Sequence, residues 1–122
     1  MPPLAALGQI ALPVSSADRA QRFYGETLGL PFLFRYGDLV FFDCAGVRLM
    51  LEGGREGGAP RDGCCLYLRT DALDDAHRAL AARGVAFDDA PHLIARMPDH
   101  ELWMAFFKDP DGNQLALMEE RR

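Results

Sequence analysis

The chain has 122 residues, 49% of them hydrophobic and 25% charged, which is the size of one domain with enough apolar material for a core. Thirteen basic against eighteen acidic side chains leave a net charge of −5, with no basic surplus for phosphate, so nucleic acid and acidic membrane surfaces are not expected partners. No run approaches the roughly 20 apolar residues of a membrane span, and Met1-Pro2-Pro3-Leu4 lacks the blocks of a signal peptide, so the expected location is the cytoplasm.

In chain order, Gln9 to Val14 alternates as a strand does. The period then becomes helical: Ser15 or Ser16 can cap a helix with the stripe Ala20, Phe23, Tyr24 and Leu28, and Gly29 can end it. Three strands are predicted next, near Phe32–Tyr36, Leu39–Cys44 and Val47–Glu52. Residues 53–62, too rich in Gly to pack, read as a linker. A second strand, Cys64 to Thr70, precedes a helix capped by Asp71, striped by Leu73, Ala76 and Leu80 and stopped at Gly84. Strands near His92–Met97, Leu102–Lys108 and Gln114–Glu119 follow. The turn Asp109-Pro110-Asp111-Gly112-Asn113 joins the last two as a hairpin, with Pro110 presetting φ and Gly112 and Asn113 tolerating positive φ.

The two halves are copies of one pattern. Gly8–Ala20 maps onto Cys64–Ala76 at an offset of 56, so Gln9 falls on Cys65, and Phe41-Phe42-Asp43 with Gly46 maps onto Phe106-Phe107-Lys108 with Gly112. The architecture is α+β, two tandem βαβββ modules at about 7–52 and 63–120 within a single domain over 1–122. Three cysteines, Cys44, Cys64 and Cys65, are odd in number and lack CxxC spacing, which argues against a disulfide framework or structural zinc site and for reduced, mostly buried thiols.

Gln9-Ile10-Ala11-Leu12-Pro13-Val14 with Arg22-Phe23-Tyr24 and Leu28-Gly29-Leu30, and Phe107 to Asn113, resemble the glyoxalase, bleomycin-resistance and extradiol-dioxygenase (vicinal oxygen chelate) superfamily over nearly the whole chain. The resemblance implies an open, barrel-like sheet with helices outside, often a homodimer, and one divalent metal held by first and fourth strands of each module. Those metal positions match Gln9, Met50, Cys65 and Ala116 here. One amide, one thioether, one thiol and one methyl suit neither a hard ion nor an imidazole–carboxylate metal. No cofactor is therefore expected.

Alternation places Ile10, Leu12, Val14, Leu49, Leu51, Leu66, Leu68, Leu115 and Leu117 under the helices, and Gln9, Arg48, Met50, Glu52, Cys65, Tyr67, Gln114 and Ala116 on the opposite face. Together with an aromatic wall of Trp103, Phe106 and Phe107 beside His100, that face reads as a ligand groove, with Gln9, Arg48, Tyr67, His100, Trp103 and Gln114 as candidate binding residues. His100, Tyr67 and Glu52 are the candidate acid–base groups. His77, three residues after Asp74 on a helix, reads as a solvated pair member, and His92 as a loop residue. The function these residues imply is binding of a small organic molecule with the usual metal site degraded. The alternative is a metal-dependent lyase, isomerase or dioxygenase with relocated ligands drawn from Gln9, Glu52, Tyr67 and His100.

Overall fold

The computed structural model describes residues 7–54 and 65–122; Cys64 and most of the expected linker lie outside them. Two four-stranded open sheets form, each with one helix and each built from one half of the sequence. The chain divides into two compact units, Met1–Arg61 and Asp62–Arg122, which coincide with the two repeats.

In module 1 the strands are β1 (Gln9–Pro13), β2 (Phe32–Tyr36), β3 (Leu39–Cys44) and β4 (Val47–Glu52), in the order β1-β4-β3-β2. The helix α1 (Ala17–Arg22) starts at Ser16, whose hydroxyl accepts the Arg19 N–H at 3.1 Å, so one of the helix's orphan donors is satisfied. The next turn, Phe23–Thr27, is π-helical: the Leu28 N–H reaches back five residues to the Phe23 carbonyl at 2.9 Å. Gly29, at φ 77°, then lets the chain leave the helix as expected.

The helix packs over β3 and β4. Leu12, Leu49, Leu51, Val40 and Phe42 meet Ala20 and Tyr24 there, all at most 2% exposed. Each large apolar side chain removed from water this way contributes about 1.5–3 kcal/mol before entropy is charged against it. Ile10, on the edge strand β1, is only half-buried.

Module 2 repeats the plan with β5 (Cys65–Arg69), β6 (His92–Arg96), β7 (Glu101–Lys108) and β8 (Gln114–Arg121), in the order β5-β8-β7-β6. Its helix α2 (Leu73–Ala82) buries Leu73 and Leu80 against the sheet face of Ala105, Phe107, Leu115 and Leu117. Leu66 and Leu68, on the edge strand β5, are half-buried. The expected Asp71 cap does not form. The flanking residue is Ala72, and the Leu73 N–H instead donates to Glu119 Oε1 from β8 at 3.3 Å. A long side chain on the neighbouring strand reaches the helix start, a partner that lies 46 residues away in sequence. Gly84, at φ 98°, ends the helix, with the Val85 N–H returning to the Leu80 carbonyl at 3.0 Å.

The turn after β7 is built around Asp109. Its Oδ1 accepts the Asp111 and Asn113 N–H groups at 2.9 and 2.8 Å, and its Oδ2 accepts Asn113 Nδ2 at 2.9 Å. Positive φ falls on Gly112 alone, at 86°; Asn113 serves through its side chain.

His77 is half-buried rather than a fully solvated pair member: its ring lies 4.2 Å from that of Phe87, and its Nε2 is buried without a hydrogen-bond partner. His92 is the first residue of β6 rather than a loop residue. Cys44 and Cys65 are half-buried rather than buried, and burial followed by the Asp43 charge pushes the Cys44 thiol above its ordinary range.

Candidate functional site

Register fixes which side chains share a face, because bridge partners point the same way and neighbours along a strand point oppositely. In module 1, Gln9 pairs with Arg48 and Ala11 with Met50; in module 2, Cys65 pairs with Gln114 and Tyr67 with Ala116. The two registers are equivalent position by position, which places the family-matched residues Gln9, Met50, Cys65 and Ala116 on the helix-free faces of their own modules.

On the helix-free face of module 1, Met50 pairs with Phe41 and Phe41 with Phe34 across three adjacent strands. Phe34 and Phe41 stack with centroids 4.5 Å apart and planes 25° apart. The Arg48 guanidinium lies 5.8 Å from both ring centroids, within cation–π range. Asp43 lies opposite Arg48 across β3 and β4, its Oδ1 accepting the Gly46 N–H at 2.9 Å, and no carboxylate oxygen comes within 4 Å of the Arg48 guanidinium among the described residues. Beside it, Gln9 Nε2 donates to Met50 Sδ at 3.8 Å. Glu52 ends the same face, half-buried and level with Pro13 and Leu39.

Phe34 and Phe41 were missed by the sequence reading, and for Phe34 the reason is a β-bulge. Strict alternation puts Phe32, Phe34 and Tyr36 on one face. The register shift between Phe32 and Phe34 instead turns Phe32 toward Phe42 and the helix while Phe34 turns toward Phe41. No Gly or Pro marks that position, so the available signal was only the density of aromatics in Phe32-Leu33-Phe34.

In module 2 the helix-free face carries Cys65, Tyr67, Gln114, Ala116 and Phe106. The Cys65 sulfur, by its charge and then by its hydrogen bond, pushes the Tyr67 phenol above its ordinary range. At neutral pH that phenol therefore keeps its proton and serves as a hydrogen-bonding group rather than a base. Gln114 spends its amide on the Phe107 and Leu115 carbonyls at 2.8 and 3.1 Å.

The expected aromatic wall is split. Trp103 and Phe107 face the helix side with Glu119 and Leu115, while Phe106 faces the other way with Ala116. The period of two decides this: residues 103 and 107 differ in parity from 106. Trp103 is engaged there, its Nε1–H donating to Glu101 Oε1 at 3.0 Å and its ring lying 4.4 Å from the Arg121 guanidinium. It does not share a face with Tyr67 or Gln114.

His100 belongs to the turn between β6 and β7, which is closed by the Met97 N–H on its carbonyl at 2.8 Å. Its Nδ1 lies 2.7 Å from Asp99 Oδ1. Hydrogen bonds from His100 and then Arg122 hold the Asp99 carboxyl below its ordinary range. His100 lines a surface cavity of about 380 Å³ with Arg96, Arg121 and Arg122, at the sheet edge opposite Tyr67's strand. Within module 1 the structure thus groups Gln9 with Arg48; within module 2 it groups Tyr67 with Gln114 and leaves His100 and Trp103 outside that group.

No group of three or more His, Cys, Asp or Glu that could hold a metal ion occurs among the described residues. The donor set at the family-matched positions does not fit a divalent ion. Ala116 has no donor atom, and the Met50 thioether already accepts the Gln9 amide.

The sequence model of the Glyoxalase/Bleomycin resistance protein/Dioxygenase superfamily matches residues 6–117, and the chain belongs to that superfamily. A superfamily member from Sphaerobacter thermophilus is 30% identical, with 96% of this chain and 98% of that one covered and a TM-score of 0.75. The fold is also similar to that of lactoylglutathione lyase from Agrobacterium tumefaciens, at 23% identity, 97% and 96% coverage and a TM-score of 0.73. A superfamily protein from Alicyclobacillus acidocaldarius matches at 20% identity, 94% and 91% coverage and a TM-score of 0.76. No curated protein matches the chain. Among the described residues, no helix is long and apolar enough to cross a membrane.

Proposed function

We propose that this protein binds a small organic molecule on the helix-free face of module 1, with the superfamily's metal site degraded and no resident cofactor. The observation that carries the reading is the stacked Phe34–Phe41 pair beside an Arg48 guanidinium that faces Asp43 across the strands but has no carboxylate oxygen within 4 Å among the described residues. The half-exposed Phe34 ring, backed by the buried Phe41, offers an apolar surface, and a guanidinium with no carboxylate oxygen within 4 Å among the described residues offers a fork for one. The ligand class that satisfies both is a planar ring bearing an acidic group. Gln9 and Met50 border the platform and add an amide and a polarizable sulfur. The missing donor at Ala116 supports the metal-free part of the reading.

The same reading includes a homodimer. β2 is a free sheet edge whose Phe32, Leu33, Phe34 and Tyr36 are between 45% and 78% exposed, and such an edge is a template for pairing with another strand. Light scattering that gives twice the chain mass supports it, and the single-chain mass refutes it.

The binding test is a melting screen of planar aromatic acids such as benzoate, salicylate and naphthoate, run with and without a chelator. A ligand that binds only the folded protein raises the melting temperature by mass action. The reading requires concentration-dependent shifts that survive chelation and are lost in Arg48→Gln and Phe41→Leu. Shifts that vanish with chelator, or that persist in both variants, refute it.

A further inference from the structure

The helix side of module 1 holds a cavity of about 620 Å³, lined by Arg22, Gly25, Glu26, Leu30, Phe32 and Phe42 among others. It lies on the opposite side of the sheet from the Phe34–Phe41 platform, and three local features build it. The bulge in β2 turns Phe32 toward this side, where its ring meets that of Phe42 edge-on at 5.8 Å. The π-helical turn Phe23–Thr27 carries the helix wall past the sheet with one extra residue per turn; such turns recur at functional sites. Gly25, on that turn, has no side chain: a Cβ there would stand 3.2 Å from Cε1 of the buried Phe42, so the glycine lets the turn sit close over that ring.

The rim is charged in a particular way. Arg35 holds Asp18 at 2.6 Å and Gln21 at 3.1 Å, which fixes one wall and uses up that carboxylate. No hydrogen bond or ion pair within 4 Å engages the side chains of Arg22 and Glu26 among the described residues, and both are exposed at the mouth. An apolar floor of Phe32 and Leu30, backed by the fully buried Phe42, lies beneath the cation Arg22, which neighbours Asp18, and the anion Glu26, so a simple acid meets repulsion from Glu26 and a simple amine repulsion from Arg22. It matches a molecule carrying a carboxylate, an ammonium and an apolar body. The volume falls in the range of small-molecule sites, about 300–1,000 Å³.

We infer that this outer cavity is a second binding site, independent of the helix-free face, for a small apolar zwitterion of the α-amino-acid class. Arg22 receives the carboxylate, Glu26 the ammonium, and the floor of Phe32 and Leu30 the side chain.

The test is a titration of the isotope-labelled protein with L-phenylalanine, followed by amide resonances, with phenylacetate and phenethylamine as probes that each lack one charge. The expected result is saturable shifts centred on Gly25, Leu30, Phe32 and Phe42 with L-phenylalanine, and binding about tenfold weaker for either single-charge probe, the cost of one charge-assisted contact. Arg22→Gln and Glu26→Gln each weaken L-phenylalanine by about tenfold as well. Gly25→Val removes binding; because that change also presses on Phe42, the two surface variants carry the test if it fails to fold. The inference is overturned by no saturable shift at millimolar L-phenylalanine, by equal binding of all three probes, or by shifts confined to Phe34, Phe41 and Arg48. Shifts at Gly25 and Phe32 that follow protein concentration without any probe also overturn it, because a second copy then fills the cavity.

Discussion

Asp109→Ala separates turn chemistry from ligand chemistry in the Asp109–Asn113 segment. Asp109 is 5% exposed and Asn113 4% exposed, and the carboxylate accepts three hydrogen bonds of 2.8–2.9 Å within the turn. Truncation leaves the buried Asn113 N–H and side-chain amide without this acceptor, whereas the half-buried Asp111 N–H can recover water. A hydrogen bond to a charged group contributes about 1.5–3 kcal/mol and an orphaned buried donor costs about 1–3 kcal/mol, and these overlap rather than add, so the expected loss is about 3 kcal/mol. With a urea m-value of about 1.5 kcal/mol/M for a chain of this size, the unfolding midpoint falls by about 2 M. Asp109→Asn keeps one carbonyl oxygen for the two backbone N–H groups and is expected to lose about half as much. Urea unfolding followed by far-ultraviolet circular dichroism measures both. A loss below about 0.5 kcal/mol for Asp109→Ala, the level of an ordinary surface change, or equal losses for the two variants, would refute the reasoning.

Three further outcomes follow from the same structure. Ser16→Ala should cost about 1 kcal/mol of urea stability and Asp71→Ala only a few tenths, since Ser16 caps α1 and Asp71 does not cap α2; equal costs contradict the assignment. Asp99 sits below its ordinary range in the folded state, so its stabilisation is present above the unfolded value and disappears as pH falls through the folded one. Asp99→Asn should therefore lower the unfolding midpoint modestly near pH ~6 and leave it unchanged near pH ~2, and a pH-independent difference would exclude the charge as its cause. His77→Phe should be neutral or stabilising by thermal melting, because it removes a buried Nε2 with no partner while keeping a ring against Phe87; a loss above about 1 kcal/mol would mean that the imidazole is satisfied.

The repeat and its alternating strands were legible because burial imposes a period of two on each strand and a helical period between them. The Gln9–Arg48 and Cys65–Gln114 registers follow the offsets read from the sequence. The site was legible only in part. Arg48, Gln9 and Met50 were found because alternation holds along β1 and β4, while Phe34 was hidden by a bulge at residues no Gly or Pro distinguishes. The π-turn that shapes the outer cavity left no local mark either, since Gly25 reads as an ordinary helix glycine. Glu119 as the α2 cap is set by a contact between distant elements, which a local pattern does not encode, whereas the parity of 103 against 106 already separates Trp103 from Phe106.

The most direct measurement is an amide-resonance titration of the labelled protein with 2-naphthoate in the presence of excess chelator. The account predicts saturable shifts at Phe34, Phe41, Arg48 and Met50 that Arg48→Gln abolishes while the rest of the spectrum is retained. Binding that appears only when Ni²⁺, Zn²⁺ or Mn²⁺ is restored, or saturable shifts at residues away from that face, would contradict it.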